Sequence, residues 1–509
     1  MAKTISKSGY AAAVIALLTG CAIGPDFKRP DVAPGAGFTQ APLPASTAAV
    51  DGQPAQNFRA NEGISAQWWT LFQSPQLNAL IDHALANNPT LQSAEAALRQ
   101  AQALLAAQRS ILFPALDGQV NGTRQQSFAN FGSGQAITIP PFTITSASLQ
   151  LSYAIDLWGT SRRALETTRA QAEQAEFQLE AAHLTLTSNI VIAAVNQAAL
   201  RAQYEATRTI LDAQEQQLGV LRRQLELGGI AEADVLTQQT GVAQTRAQLP
   251  PIERALAQTG NQLLALAGRF PNDLLISQFD LNELRLPENL PVSLPSQLVV
   301  QRPDIRAAEA YLHAANAQVG VATGLMLPQI SINANYGRSA MSFDALVSGG
   351  GSTVWGMAAG LTQPIFRGGE LLNRRKAAVA AFDAAAAQYR GTVLTAFQNV
   401  SDVLAALQID ANAVQAQLDA ERAAAENLSI AQNRFQSGAT NFLTLLDAQR
   451  TYQQTRIALV QAQSARYTDT AALFIALGGG WWNRDAQQAQ NQTESENAQT
   501  VAAAQAGAK

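Results

Sequence analysis

Residues Ser148 to Trp158 read SLQLSYAIDLW. Leu149, Leu151, Tyr153, Ile155 and Leu157 take alternate positions, with Ser148, Gln150, Ser152, Ala154 and Asp156 between them. Strict alternation marks a β-strand, whose successive side chains leave opposite faces. One apolar and one hydrophilic face mean two different surroundings. In a soluble sheet these are core and water, but about ten residues is also the length of a tilted strand crossing a bilayer. Gln329 to Tyr336 alternates likewise, Ile330, Ile332, Ala334 and Tyr336 against Gln329, Ser331, Asn333 and Asn335. Leu116–Arg124 and Val354–Phe366 are the candidate partners, which predicts strands over residues 115–126, 145–158, 329–340 and 353–366. SFANFGSGQAITIPP and MSFDALVSGGGST lie between the members of each pair and read as hairpin loops.

The strands recur because the chain carries one plan twice. NPTLQSAEAALRQAQALLAAQRSILFP from Asn88 matches RPDIRAAEAYLHAANAQVGVATGLMLP from Arg302, with prolines at 89 and 114 and again at 303 and 328. LELGGIAEADVLTQQ (Leu225–Gln239) matches FQSGATNFLTLLDAQ (Phe435–Gln449). A spacing of this size indicates a duplicated domain rather than a solenoid repeat. Each copy opens with a helix, Pro89 to about Phe113 and Pro303 to about Leu327, because proline fits a first helical turn and a second proline ends it.

Long helical tracts follow. No proline interrupts Thr160 to Leu227 or Glu370 to Gln436. Phe177, Leu184, Val191 and Ala198 step by seven, as do Tyr204, Leu211, Leu218 and Leu225. Val393, Val400 and Leu407, then Leu445, Tyr452 and Leu459, do the same in the second copy. Heptad spacing implies left-handed coiled packing. A fibrous coiled coil normally carries many charged flanking residues, whereas charged residues are only 14% of this chain.

The formal net charge is −4, so nucleic acid is not an expected partner. No apolar run after Cys21 is long enough for a transmembrane helix, which leaves a β-barrel open. Four strands cannot close a membrane barrel, which starts near eight, and an open edge cannot sit in lipid because each unpaired backbone group costs several kcal/mol. The barrel must therefore be shared between subunits.

The start of the chain supplies an address. Lys3 and Lys7 precede an apolar run, Ala11 to Leu18, and Leu18-Thr19-Gly20-Cys21 closes it. This is a secretory signal layout, and Leu-Thr-Gly-Cys resembles a bacterial lipobox. The resemblance implies cleavage after residue 20, with S-diacylglycerol and N-palmitoyl groups on Cys21. Cys21 is the chain's single cysteine. Ala22, where an Asp would retain the protein at the inner membrane, implies export to the outer membrane.

Several motifs together resemble the TolC/OprM outer-membrane efflux family, its lipoprotein branch in particular. They are Cys21-Ala-Ile-Gly24-Pro25 with Arg29-Pro30, Trp68-Trp69, Asn88-Pro89, Arg302-Pro303-Asp304-Ile305-Arg306, Gln363-Pro364-Ile365-Phe366, Leu446-Asp447-Ala448-Gln449 and Ala476-Leu477-Gly478-Gly479-Gly480-Trp481. The resemblance implies a mixed α/β membrane protein in which a homotrimer builds a twelve-stranded transmembrane β-barrel continuous with a long periplasmic α-helical barrel. It implies a passive duct for small molecules such as drugs and toxic compounds, working with a periplasmic adaptor and an inner-membrane pump of the proton-driven RND type. Asp447 and Asp234 match gate acids, and Leu443 resembles an apolar constriction residue. Gly228 and Gly438 mark the tips where an adaptor docks. Phe435 stands where an aromatic often precedes the tip glycine. Thr440 departs from members with a basic residue there, and neither Arg434 nor Gln436 can be assigned in its place. In physical terms, aspartates triplicated about an axis repel one another and attract cations, so such a ring can be both charge filter and strained latch. Read alone, both aspartates are equally solvated helix-terminal residues.

No Walker, HExxH or GxSxG sequence occurs, and His83, His183 and His313 lack ligand spacing, so neither an enzyme nor a metal or cofactor site is expected. Two other readings stay open, a duct for an ABC-type protein secretion system and a non-transporting envelope coiled-coil lipoprotein. The organisation expected is a signal peptide (1–20), an acylated arm (21–74), a first repeat (75–272), a linker (273–295), a second repeat (296–478) and a flexible tail (479–509).

Overall fold

The computed structural model describes residues 22–31, 37–39, 42–51, 54–60, 62–130, 136–273 and 278–484. The signal segment, Cys21 and most of the expected tail lie outside the described residues. In chain order the elements are β1 (Asn57–Ala60), α1 (Pro75–Asn87), α2 (Pro89–Ser110), β2 (Ala115–Asn130), β3 (Ala136–Ile155), α3 (Thr160–Glu226), α4 (Glu232–Leu266), β4 (Asn289–Val292), α5 (Pro295–Gln301), α6 (Pro303–Gly324), β5 (Gln329–Ala340), α7 (Phe343–Val347), β6 (Ser352–Thr362), α8 (Glu370–Gln436) and α9 (Phe442–Ala476). Both α3 and α8 have 67 residues, and both α4 and α9 have 35. At 1.5 Å per residue a 67-residue helix is about 100 Å long. Two compact units result: Met1–Pro30, Ala97–Ala175 and Ala308–Tyr389 form one, and Asp31–Ala96, Glu176–Ala307 and Arg390–Lys509 the other. Each draws on both sequence copies.

The first unit holds an antiparallel sheet in the order β2-β3-β5-β6. Cross-strand register sorts its side chains into rows. Leu116, Leu151, Ala334 and Met357 share one row, and Gly118, Leu149, Tyr336 and Trp355 the next on the same face. The opposite face carries Asp117, Gln150, Asn335 and Gly356, and then Ser152, Asn333 and Ala358.

Three expectations change. First, the stretch from Ser127 to Pro141 is mostly strand rather than loop: β2 runs to Asn130 and β3 starts at Ala136. Pro140 and Pro141 suggested a break, but the β2–β3 register shifts between Gln125 and Ser127, opposite Phe142 and Ile139. Such an irregularity accommodates residues without an N–H donor. Second, the loop from Met341 to Thr353 contains α7, started by Ser342, whose side chain accepts from the Ala345 N–H. Third, β3 and β6 stop at Ile155 and Thr362, short of 158 and 366. Asp156 instead accepts from the Ser161 and Arg162 N–H groups at the start of α3, and Gln363 donates to the Met326 and Pro364 carbonyls. The opening helices also end three residues early, in turns such as Phe113 N–H to Ser110 and Leu327 N–H to Gly324, which tighten ahead of Pro114 and Pro328.

In the second unit the heptad positions Val191, Ala198, Leu211, Leu218, Val400, Leu407, Leu445 and Leu459 are buried. Asn88 and Arg302, at matching points of the two copies, close the same joint. Asn88 caps α2 through the Thr90 and Leu91 N–H groups and donates to Leu266 at the end of α4. Arg302 forks onto Asp304 at 3.0 and 2.7 Å and donates to Ala476 at the end of α9. The arm is laced onto α8 and α9. Fully buried Arg466 donates to Gln56 and to the Pro54 carbonyl, and Gln56 donates to Thr470 and the Pro287 carbonyl. Behind α9 the chain stays packed past its expected boundary at 479. Trp481 donates to the Gln301 carbonyl, Asn483 to the Ile64 carbonyl, and Arg484 pairs with Glu180 at 2.6 Å.

Beside Arg466, Asp410 of α8 faces Asp469 of α9, and with both carboxylates ionised its buried Oδ2 has no hydrogen-bond partner among the described residues. Two ionised carboxylates offer each other no proton, so the arrangement favours one proton between them. Burial first and Asp469 second push Asp410 up to about 7, against the pull of Arg466. A carboxyl that binds its proton more tightly in the fold loses stability as pH rises from about 4 through about 7, and nothing further above that. The thermal midpoint of the wild type should therefore fall more steeply between pH 5 and pH 8 than that of Asp410→Asn, whose amide stays neutral and can donate to Asp469. Parallel pH profiles would disprove the shared proton.

Candidate functional site

The sheet presents large apolar side chains with nothing over them: Tyr336 is 64% exposed, Trp355 74% and Met357 73%. A second band lies where the strands join the helices, formed by exposed Phe113, Ile365 and Phe366 and by Trp158, whose Nε1 donates to the Pro328 carbonyl. Aromatic residues at both ends of an apolar strip are the pattern of a sheet set in lipid. The opposite face, of Ser, Asn, Gln and Gly, suits water. Among the described residues no helix is long and apolar enough to cross a membrane.

The tips are two matching helical hairpins in the second unit. At the end of α3 the Gly228 N–H bonds to Leu225 and the Gly229 N–H to Gln224. At the end of α8 the Gly438 N–H bonds to Phe435 and the Ala439 N–H to Arg434. Both pairs form the two-bond helix stop that needs a left-handed residue, and both glycines have φ of 72°. Thr440 is half-buried in the following turn. Asn441, overlooked in the sequence although Asn-x-x-Thr signals it, caps α9 by accepting from the Thr444 N–H and hydroxyl. Phe435 meets Phe442 edge-on at 6.0 Å. Phe442 and Leu446 pack into the core of Leu211, Leu218, Leu221, Val235, Val242 and Leu249, so the two hairpins share one core.

Leu445, Leu446, Ala448 and Gln449 of α9 are buried, which turns Leu443 and Asp447, one helical turn apart, outward. Asp447 is in the second turn of α9, beyond reach of the first-turn N–H groups, and no described residue pairs with it. Asp234 is half-buried in the first turn of α4, where the helix dipole accounts for its charge. No hydrogen bond or ion pair joins the two aspartates within this chain.

Between the hairpins runs a seam of glutamines that the sequence did not single out. Gln238 donates to the Gln214 carbonyl and Gln453 to Gln248. Gln214, Gln248 and Gln453 line a cavity of about 230 Å³ with Gly241, Leu446 and Arg450. Four buried amide oxygens here, on Gln214, Gln224, Gln238 and Gln449, have no partner among the described residues. Each such group costs ~1–3 kcal/mol, so the seam holds α9 less firmly than an apolar one would.

The start of the described chain is clipped to the first unit. The Ile23 N–H bonds to Trp158, and Arg163 donates to the Ile23 carbonyl and to Asp26. Phe27 stacks on His313 at 4.4 Å, and Arg29 pairs with Glu309 at 2.6 Å. Ala22 lies against Gly159, where β3 turns into α3. Its neighbour Cys21 lies outside the described residues.

A four-stranded sheet with a bare apolar face and two pairs of long helices are the parts expected of an envelope channel component. The model of the family described as "Outer membrane efflux protein" matches residues 80–269 and 294–479. The chain belongs to this family. It is 32% identical over 487 residues to the "Antibiotic efflux pump outer membrane protein ArpC" of Pseudomonas putida, covering 95% of this chain and 98% of that one. It is 31% identical to the "Pyoverdine export outer membrane protein OpmQ" of Pseudomonas aeruginosa, covering 87% and 94%. Among solved structures the outer-membrane channel OprN superimposes with a TM-score of 0.80 at 27% identity, over 91% of this chain and all of that one. The protein is thus an outer membrane efflux channel component reaching into the periplasm.

A Cβ on Gly438 would meet nothing within 4 Å, so Gly438→Ala pays only for its positive φ, ~1–2 kcal/mol. Amide exchange over residues 434–445 should quicken about fivefold or more, while the tip at Gly228 keeps its rate. Unchanged exchange at both tips would show that the turn is not held by its glycine.

Proposed function

We propose that three copies of the chain close a twelve-stranded barrel and serve as the passive exit duct of a tripartite efflux system. The observation that carries this reading is the four-stranded sheet, exposed on both faces, with unpaired edges at β2 and β6. Unpaired backbone groups cannot remain in hydrocarbon, so β6 of one copy pairs with β2 of the next. An even number of strands per chain keeps that junction antiparallel and lets the ring close on itself. The equal helix pairs α3–α4 and α8–α9 support two tandem repeats in each chain and a helical barrel below the membrane.

Asp447 and Leu443 point away from the shared core, as residues lining an axis must. Three copies of Asp447 give a ring of carboxylates that attracts cations and strains against its own closure. Asp234, held at a helix start, is a weaker member of this gate. The glutamine seam lets α9 shift against α3 and α4 when an adaptor seats on the tips at Gly228, Phe435, Gly438 and Thr440. An RND-type pump then loads the duct. The relatives' names, which mention antibiotics and pyoverdine, support small molecules as cargo rather than the secreted proteins of an ABC-type system. Cys21, next to the clipped Ala22, carries the diacylglycerol and palmitoyl groups at the inner leaflet.

Planar-bilayer recording tests the gate. Asp447→Asn should raise the resting conductance of the purified channel and shift its cation-over-anion permeability ratio toward one, and Leu443→Ala should raise conductance without changing selectivity. Channels whose conductance and selectivity ignore Asp447→Asn would remove the acidic ring from the mechanism.

A further inference from the structure

The apolar face of the sheet ends in a definite order. Beyond the row of Leu149, Tyr336 and Trp355 comes Val120, Ala147, Arg338 and Thr353, then Gly122, Thr145 and Ala340, then Arg124 with Thr143. Two arginines therefore stand on the lipid-facing side, just outside the aromatic row that marks the headgroup level. They lie at the hairpin end of the sheet, opposite the end joined to α2, α3, α6 and α8. Those outer rows contain no acid, although the whole chain has a net charge of −4. Asp344, in the first turn of α7, is the acid of the β5–β6 connection and forms no ion pair with either arginine.

An arginine that only needs to reach water can snorkel in any orientation. Arg338 is instead fixed: its Nη2 donates to the Gly349 carbonyl at 2.7 Å and to the Gly351 carbonyl at 3.1 Å. Nη2 is thus taken by the loop, and no described residue accepts from Nε or Nη1 of this exposed side chain. Those remaining N–H donors, held on a fixed positive charge, can each bond to an oxygen of a phosphate. Arg124 is exposed and has no partner among the described residues. It lies two rows further out and two strands across, about 14 Å along the strands and about 10 Å sideways, within the span of one large headgroup.

We propose that Arg338 and Arg124 form a docking site on the outer rim of the sheet for the phosphates of a phosphorylated glycolipid in the outer leaflet, a site that rests on the barrel reading above. Lipid docked there pins the rim at one depth and covers the junction between β2 and the neighbouring β6.

The test uses full-length protein in nanodiscs of phosphatidylethanolamine doped with a bisphosphorylated glycolipid or with the same glycolipid stripped of its phosphates, and native mass spectrometry reads the lipid retained. The wild type should retain the phosphorylated form selectively. Arg338→Ala and Arg124→Ala should each lower retention about fivefold, and the double variant ~25-fold. Arg338→Lys should fall between, because an ammonium supplies charge without the fixed planar set of donors. Equal retention of both glycolipids, full retention by the double variant, or complete displacement by inorganic phosphate would overturn the site. Single-channel recording of the same preparations separates the two readings: channels without lipid preference overturn the docking site alone, and the absence of channels overturns the barrel.

Discussion

The structure depends on one constraint, the backbone hydrogen bond in a medium that offers no substitute. In water an open strand edge costs little, since solvent bonds to it. In hydrocarbon each unpaired N–H or C=O costs several kcal/mol. Soluble proteins guard open edges with charge or proline, yet β6 (STVWGMAAGLT) has neither over its whole length. Such an edge is made to be paired. The same constraint explains why, in the proposed channel, strands would cross the bilayer rather than the long helices, whose sequences alternate small, polar and apolar residues and could not tolerate lipid.

The helical part obeys a different logic. Low charge and abundant alanine let α3, α4, α8 and α9 pack closely, and the heptad positions form the seams. The joints are polar and specific: Asn88 and Arg302 each tie the start of one helix to the end of another. Both side chains occupy a C-terminal carbonyl, Asn88 that of Leu266 and Arg302 that of Ala476. At the helix start they differ: Asn88 caps α2 by accepting from its N–H groups, whereas Arg302 grips Asp304 in the first turn of α6.

Much of this was legible in the sequence because periodicity is a local property. The alternation of Leu149 to Ile155 gave the sheet and its faces, and the seven-residue steps gave the buried helix positions. Strand length was less legible, because Pro140 and Pro141 look like breakers until their place in a register shift is known. The helix α7 was hidden among glycines that resemble a plain loop. Contacts between distant positions were not legible at all. Nothing near Asp410 in sequence announces Asp469 or Arg466, and Arg124 and Arg338 fall into line only once the cross-strand register is fixed. The roles of Asp447 and Asp234 came from resemblance, and the structure separates them: the first is exposed and unexplained by its helix, the second sits where a helix start explains its charge.

That difference bears on how a gate can be built. A carboxylate satisfied by a helix dipole or an ion pair has little to gain from moving. Asp447 has neither, and it belongs to a helix seated on buried glutamines whose oxygens lack partners. The charge that would favour separation of copies and the contact that yields most readily are on the same helix, one turn from a stop set by Gly438 and Asn441. An apolar seam at that place would hold α9 more firmly and leave the repulsion nothing to move. In the gate proposed above, the unsatisfied amides would be the physical counterpart of the exposed acid, because a latch works only where the force that opens it meets the weakest packing.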